Sequence, residues 1–202
     1  ETSITTSEDA WPKGINYSGY VGHSALRTYA MGERAFEERA KPDDMAVMKR
    51  ELRDSIRAGA IGFTTSRTRN HQTPDGRPVA SRVADWDEVR ELVREMGEMG
   101  AGIFDIAGED TGMDPERIRD YQARLRDLAV DTGVPVTWGM FSSRRAPDYW
   151  RPFFTLLEET AQRGGRMFAQ VHSRSLNVIM SFQTRTPWDR QPVWKELRQK
   201  PL

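Results

Sequence analysis

All three histidines of this sequence stand where a β-prone run gives way to polar residues, and each has arginine close by: His23 with Arg27, His71 after Arg67 and Arg69, and His172 before Arg174. Asp105, with Glu109 and Asp110, closes another such run, and Ser142, Ser143, Arg144 and Arg145 follow a fourth. Imidazole and carboxylate together can bind zinc and activate water, or move protons without a metal. His23, His71 and Asp105 are therefore the candidate catalytic groups. Arg67, Arg69 and Arg144 are the candidate substrate-binding groups, because a guanidinium holds a carboxylate through two parallel hydrogen bonds.

Each candidate has a plainer reading. No two histidines form a tight ligand motif such as His-x-His, so the spacing does not define a metal site. His23 reads equally as a hydrogen-bonded histidine at a strand end. Asp105 sits between Phe104 and Ile106, where an unpaired charge is costly, and a salt link to Arg67 would satisfy it. Arg144 and Arg145 could simply face water.

The groups need a frame, and the pattern supplies one. Pro42, Asp43 and Asp44 open a helix whose apolar face is Met45, Met48, Leu52 and Ile56. Asp85 with Glu88 three residues on reads as a capping box, followed by the stripe Trp86, Val89, Leu92, Val93, Met96 and Met99. Asp114, Pro115 and Glu116 start a third helix and Pro147 a fourth. Between them lie β-prone runs at residues 15–21, 60–65, 101–107, 134–140 and 167–171. Gly59, Gly100, Gly133 and Gly164 punctuate the chain at roughly 30–40 residues, the size of a β/α unit.

Strand, polar loop, helix is the invariant order, which predicts an α/β chain with a parallel sheet, about five strands and four to five helices. A doubly wound sheet is disfavoured because no Gly-rich phosphate loop follows the first strand. A partial TIM-type barrel is the better fit. Residues 1–14 read as a lead-in loop, 15–185 as the barrel portion, and 186–202 as a Pro- and Trp-rich tail.

Composition narrows the function. Thirty basic and thirty acidic side chains cancel, so neither nucleic acid nor an anionic membrane is an expected partner. No apolar run is long enough to span a bilayer. Cysteine is missing entirely, which removes thiolate chemistry and, with no visible secretory signal, points to the cytoplasm. Hydrophobic residues make up only 37%, low for a self-sufficient core, and imply further burial against more chain or a partner.

The motifs VGHSALRTYAMGERA, RAGAIGFTTSRTRNHQTPDGRPV, VPVTWGMFSSRRAPDYWRPFFTLLEE and MFAQVHSRSL resemble the D-aminoacylase (N-acyl-D-amino-acid deacylase) branch of the amidohydrolase superfamily, in its longer, divergent members. The resemblance covers most of residues 15–200. It implies a metal-dependent (β/α)₈ hydrolase of amide bonds in N-acyl-D-amino acids or similar small molecules, with zinc in the parent family and water as nucleophile. This chain would then be a fragment holding strands three to seven, with His23 and the loop from Arg67 to His71 at the mouth of the pocket.

Two histidine ligands expected after the family's fifth and sixth strands fall near Ala107 and Met140, so no metal ligand carries over. The expectation is a chain that binds no zinc and is inactive alone. The alternative is a non-catalytic β/α module that acts through homo-oligomerisation, because a partial barrel leaves open sheet edges.

Overall fold

The computed structural model describes residues 17–112, 114–140, 147–148, 150–174, 186, 188–189 and 191–200. The chain divides into two compact units at Val171 and His172. The first holds strands β1 (Tyr20–Gly22), β2 (Gly62–Ser66), β3 (Ile103–Ala107), β4 (Val136–Gly139) and β5 (Met167–Gln170). It also holds helices α1 (His23–Met31), α2 (Pro42–Arg57), α3 (Trp86–Met99), α4 (Pro115–Thr132) and α5 (Arg151–Gln162). The second unit holds the short helix α6 (Pro192–Leu197), beside which Trp188 and Trp194 stack at 5.5 Å.

The five strands are all parallel and lie in chain order, β1-β2-β3-β4-β5. Successive helices pack on one another in the same order, α1 on α2 through to α4 on α5. A doubly wound sheet would reverse direction once and place helices on both faces. Unbroken order with one helical layer is the pattern of a barrel wall, so the expected α/β partial barrel is the architecture found.

Strand alternation gives the two faces opposite characters. One register row, Val21, Phe63, Phe104, Val136 and Met167, faces the helices. The next row, Gly22, Thr64, Asp105, Thr137 and Phe168, belongs to the other face, where Phe168 is 56% exposed. The core is therefore a layer between sheet and helices, filled by Met48 and Leu52 of α2, Val89, Leu92, Val93 and Met96 of α3, and Leu125 and Leu128 of α4.

Local chemistry sets the helix limits. Asp114 caps α4 by accepting hydrogen bonds from the Glu116 and Arg117 amides. Gly100 and Gly133 end α3 and α4 in the left-handed conformation, at φ 64° and 67°. Two ion pairs, Lys49–Glu91 and Arg53–Glu95, lace α2 to α3, each adding less than about 1 kcal/mol at a surface.

Three sequence expectations need correction. The first strand was expected from residue 15, but among the described residues it runs only Tyr20–Gly22. The polar residues from His23 that follow this run, placed there as a strand end, are instead the start of α1. Its inward positions are His23, Leu26, Arg27 and Met31, so two polar residues on the buried face mask an ordinary helical period. Finally, Pro147 does not open a helix; α5 starts at Arg151, with Pro152 in its first turn.

Candidate functional site

A cavity of about 460 Å³ opens at the C-terminal ends of β3 and β4, where a β/α wall presents its functional groups. Its polar lining includes His71, Asp105 and Glu109, and its apolar wall includes Tyr121, Trp138 and Phe153. Each group is brought by a different element: His71 by the long loop after β2, Asp105 by β3 itself, Glu109 by the loop after β3. Tyr121 comes from α4, Trp138 from β4 and Phe153 from α5.

Asp105 is half-buried. Thr64 Oγ1 donates to its Oδ2 at 3.0 Å, and Gln170 Nε2 donates to its Oδ1 at 3.3 Å and to Thr137 Oγ1 at 3.0 Å. The salt link to Arg67 considered from sequence is not formed. Arg67 turns to Glu109, Nε to Oε1 at 3.3 Å, because Glu109 stands beyond the strand end, where a long side chain reaches more easily than back along β3. Arg124 grips the same carboxylate with two hydrogen bonds of 2.9 and 2.8 Å. Burial pushes the Glu109 carboxyl up, but Arg124 and Arg67 outweigh it and hold it below its usual range. The Tyr121 hydroxyl is pushed well above its usual range, first by burial and then by the Glu109 charge.

His71 lies at the exposed rim, its Nδ1 2.7 Å from Ser66 Oγ. Arg69 pairs with Asp110 at 2.9 Å. Arg144, with Ser142, Ser143 and Arg145, lies outside the described residues. His172 and Arg174 belong to the second unit.

His23 does not line the cavity at all. It is 1% exposed at the first turn of α1, with Thr65 Oγ1 2.8 Å from Nδ1 and Glu88 Oε1 2.7 Å from Nε2. Arg27 Nη1 donates to the other Glu88 oxygen at 2.5 Å, and its Nη2 donates to the Ala35 and Glu38 carbonyls. Burial holds the imidazole below its usual range, even though Glu88 acts to raise it. Burial also acts to raise Glu88, but the hydrogen bonds from His23 and Arg27, with the Arg27 charge, outweigh it and keep the carboxylate ionised. The consistent arrangement is a neutral His23 donating from Nε2 to Glu88 and accepting at Nδ1 from Thr65.

A depressed histidine carries a definite sign. Its contribution to stability is full above the ordinary histidine value of about 6.5 and is lost as pH falls toward the lower value of the fold. We expect the unfolding free energy from urea titrations to drop from pH 7 downward with a slope approaching about 1.4 kcal/mol per pH unit, the limit for one proton. His23→Gln, which can keep one donor and one acceptor, should flatten that slope between pH 7 and 5.5. An equal slope in the variant would assign the effect to other groups.

Sequence reasoning missed Glu88, read as the second half of a capping box. Half of that box forms: Asp85 accepts from the Glu88 amide at 2.9 Å. The Glu88 side chain turns inward. The available signal was periodicity, since Glu88 lies four residues before Leu92 on the buried stripe, and His23 and Arg27 are likewise four apart on one face. Arg124 was missed as the partner of Glu109, because nothing local connects residues so far apart in sequence.

The site and the wall that carries it define a sector of a (β/α) barrel. A crystal structure of N-acyl-D-glutamate deacylase from Bordetella bronchiseptica, in complex with zinc and a phosphonate inhibitor, matches it with a TM-score of 0.66 at 18% identity, covering 83% of this chain and 33% of that one. A D-aminoacylase crystal structure matches with a TM-score of 0.62 at 22% identity, over 82% of this chain and 32% of that one. The fold expected from the motifs is thereby established: five parallel strands of a partial β/α barrel. Uncharacterized proteins of Mycobacterium tuberculosis and Mycobacterium bovis are 32% identical over 100 residues, 46% of this chain. That match spans 16% of the length of those relatives, and the chain spans about a third of the solved structures. No family model matches.

Among the described residues, those around the cavity do not suit a zinc ion. Ala107 and Met140, near which the resemblance expects histidine, both line the cavity. Both Asp105 oxygens and the Nδ1 of His71 are already engaged. Among the described residues no three His, Cys, Asp or Glu side chains are grouped to hold a metal. Among the same residues no helix is long and apolar enough to cross a membrane.

Proposed function

We propose that this chain is the middle sector of a D-aminoacylase-like amidohydrolase, a protein class that hydrolyses amide bonds of N-acyl-D-amino acids or related small molecules, and that this sector alone does not carry out the reaction. The observation behind the reading is the cavity at the ends of β3 and β4, with Asp105, His71 and Glu109 facing it and Ala107 and Met140 near the expected ligand positions. In this reading the sector supplies one wall of a substrate pocket. Asp105 and His71 meet the substrate, Arg67 and Arg124 fix Glu109, and His23 braces β2 from behind. The cytoplasm is the proposed compartment.

The test is hydrolysis of N-acetyl-D-amino acids by the purified 202-residue chain, with and without added zinc. No turnover above the uncatalysed rate is expected in either condition. Zinc-dependent release of free amino acid would overturn the reading.

A second reading, a non-catalytic module acting through self-association, draws on the face that carries Thr64, Asp105, Thr137 and Phe168 and on the three- and four-residue strands at the two edges of the sheet. It expects a dimer or larger species in light scattering. A monomer would count against it.

A further inference from the structure

We propose that the part of the cavity lying behind the strand ends takes an aromatic or other bulky apolar group of the amide substrate, carried on its side chain or on its acyl group. The proposal rests on reading this cavity as the functional site, and it names the kind of substrate that the site prefers.

The register of the strands divides the cavity in two. Asp105 and Gln170 belong to the open face of the sheet, where Gln170 reaches Asp105 and Thr137. Ile106 pairs with Thr65 on one side and Trp138 on the other, in a row that turns toward the helices. Ile106 and Trp138 line the cavity as well. The space therefore passes over the ends of β3 and β4 and continues between sheet and helices, where Ile118 and Tyr121 of α4 and Phe153 of α5 close it.

This inner part is apolar. Trp138 and Phe153 form a tilted pair with ring centroids 5.3 Å apart, and a further ring packs well against such a pair. Tyr121 adds a third ring, its hydroxyl kept protonated by burial. No lysine or arginine lines the cavity among the described residues, and the Glu109 carboxylate is balanced from behind by Arg124 and Arg67. An acidic side chain would enter the inner part without a counter-charge, whereas an apolar group gains by leaving water. The α-carboxylate common to N-acyl amino acids stays toward the mouth, where Asn70 and His71 stand. Size points the same way. About 460 Å³ is within the range of small-molecule sites, so a substrate with only an acetyl group and a small side chain would leave much of the apolar wall uncovered.

Titration calorimetry of the 202-residue chain with N-acetyl-D-phenylalanine, N-phenylacetylglycine, N-acetyl-D-glutamate and N-acetylglycine tests this. At least one of the two aryl ligands is expected to bind about tenfold or more tightly than N-acetylglycine, and N-acetyl-D-glutamate no more tightly than N-acetylglycine. Preference for N-acetyl-D-phenylalanine assigns the inner part to the side chain, and preference for N-phenylacetylglycine assigns it to the acyl group. Ile118→Trp, which fills that part from α4, should bring the aryl ligand down to the affinity of N-acetylglycine. Circular dichroism checks that the variant folds; if it does not, the ranking of the four ligands on the unaltered chain decides. Equal affinity for all four, or tighter binding of N-acetyl-D-glutamate than of either aryl ligand, would overturn the apolar assignment and leave the site reading intact. Binding of none of the four would overturn both.

Discussion

Gly62→Ala is expected to prevent this chain from reaching its fold. A Cβ at position 62 would lie 1.9 Å from the Ile103 carbonyl oxygen and 2.6 Å from the Ile103 nitrogen. Both are backbone atoms of the paired strand, so no side chain can swing aside. Relief requires β2 and β3 to separate at Gly62 and Ile103, their first paired position, beside the bond from the Ile103 amide to the Ile61 carbonyl. These are the central pairings of the wall, and Asp105 depends on them for its Thr64 hydrogen bond. The cost is on the order of 4 kcal/mol or more, a large share of the stability of an ordinary domain. Soluble yield and circular dichroism of the variant measure it. A variant with unchanged yield and denaturation midpoint would show that the close approach is not as tight as described.

Glu88→Ala is expected to cost about 3–5 kcal/mol, the penalty for leaving a buried charge without its partner. Arg27 is fully buried, and Glu88 is the carboxylate that meets its guanidinium. Removing it also takes the acceptor from His23 Nε2. The effect should be read as a lower urea midpoint. Arg27→Met in a Glu88→Leu background separates lost charge balance from lost shape: it should recover a substantial part of the stability, since apolar groups of similar volume can replace a buried ion pair. A single-variant loss below about 1 kcal/mol would mean that Glu88 acts as an ordinary surface cap.

The fold was legible wherever one helix face carried an unbroken apolar stripe. Val89, Leu92, Val93 and Met96 announced α3, and Gly100 and Gly133 marked its end and that of α4. The order of the units then implied a parallel wall, and all five strands are parallel and in chain order. α1 was not legible as a helix, because its buried face carries His23 and Arg27, and their partner Glu88 lies 65 and 61 residues further on. Periodicity reads an element against water, and it has no means of reading a charge that is neutralised by another element.

The candidate site was legible in part for the same reason. Strand ends pointed to Asp105, His71 and Glu109, which all line one cavity. They could not show that His23 turns to the opposite side of β2, or that Arg67 pairs with Glu109 and not with Asp105. Alternation along β2 explains the sorting once it is seen: Thr64 serves Asp105, Thr65 serves His23 and Ser66 serves His71.

In the proposed function, this sector carries one wall of a deacylase-type pocket without a metal set of its own. Elemental analysis of the 202-residue chain, purified without chelator and dialysed against a trace of zinc, tests it most directly. Zinc well below a stoichiometric amount is expected, unchanged by replacing Asp105 or His71. About one zinc per chain, lost on replacing either residue, would contradict it and would mean that these two groups help to complete a metal site after all.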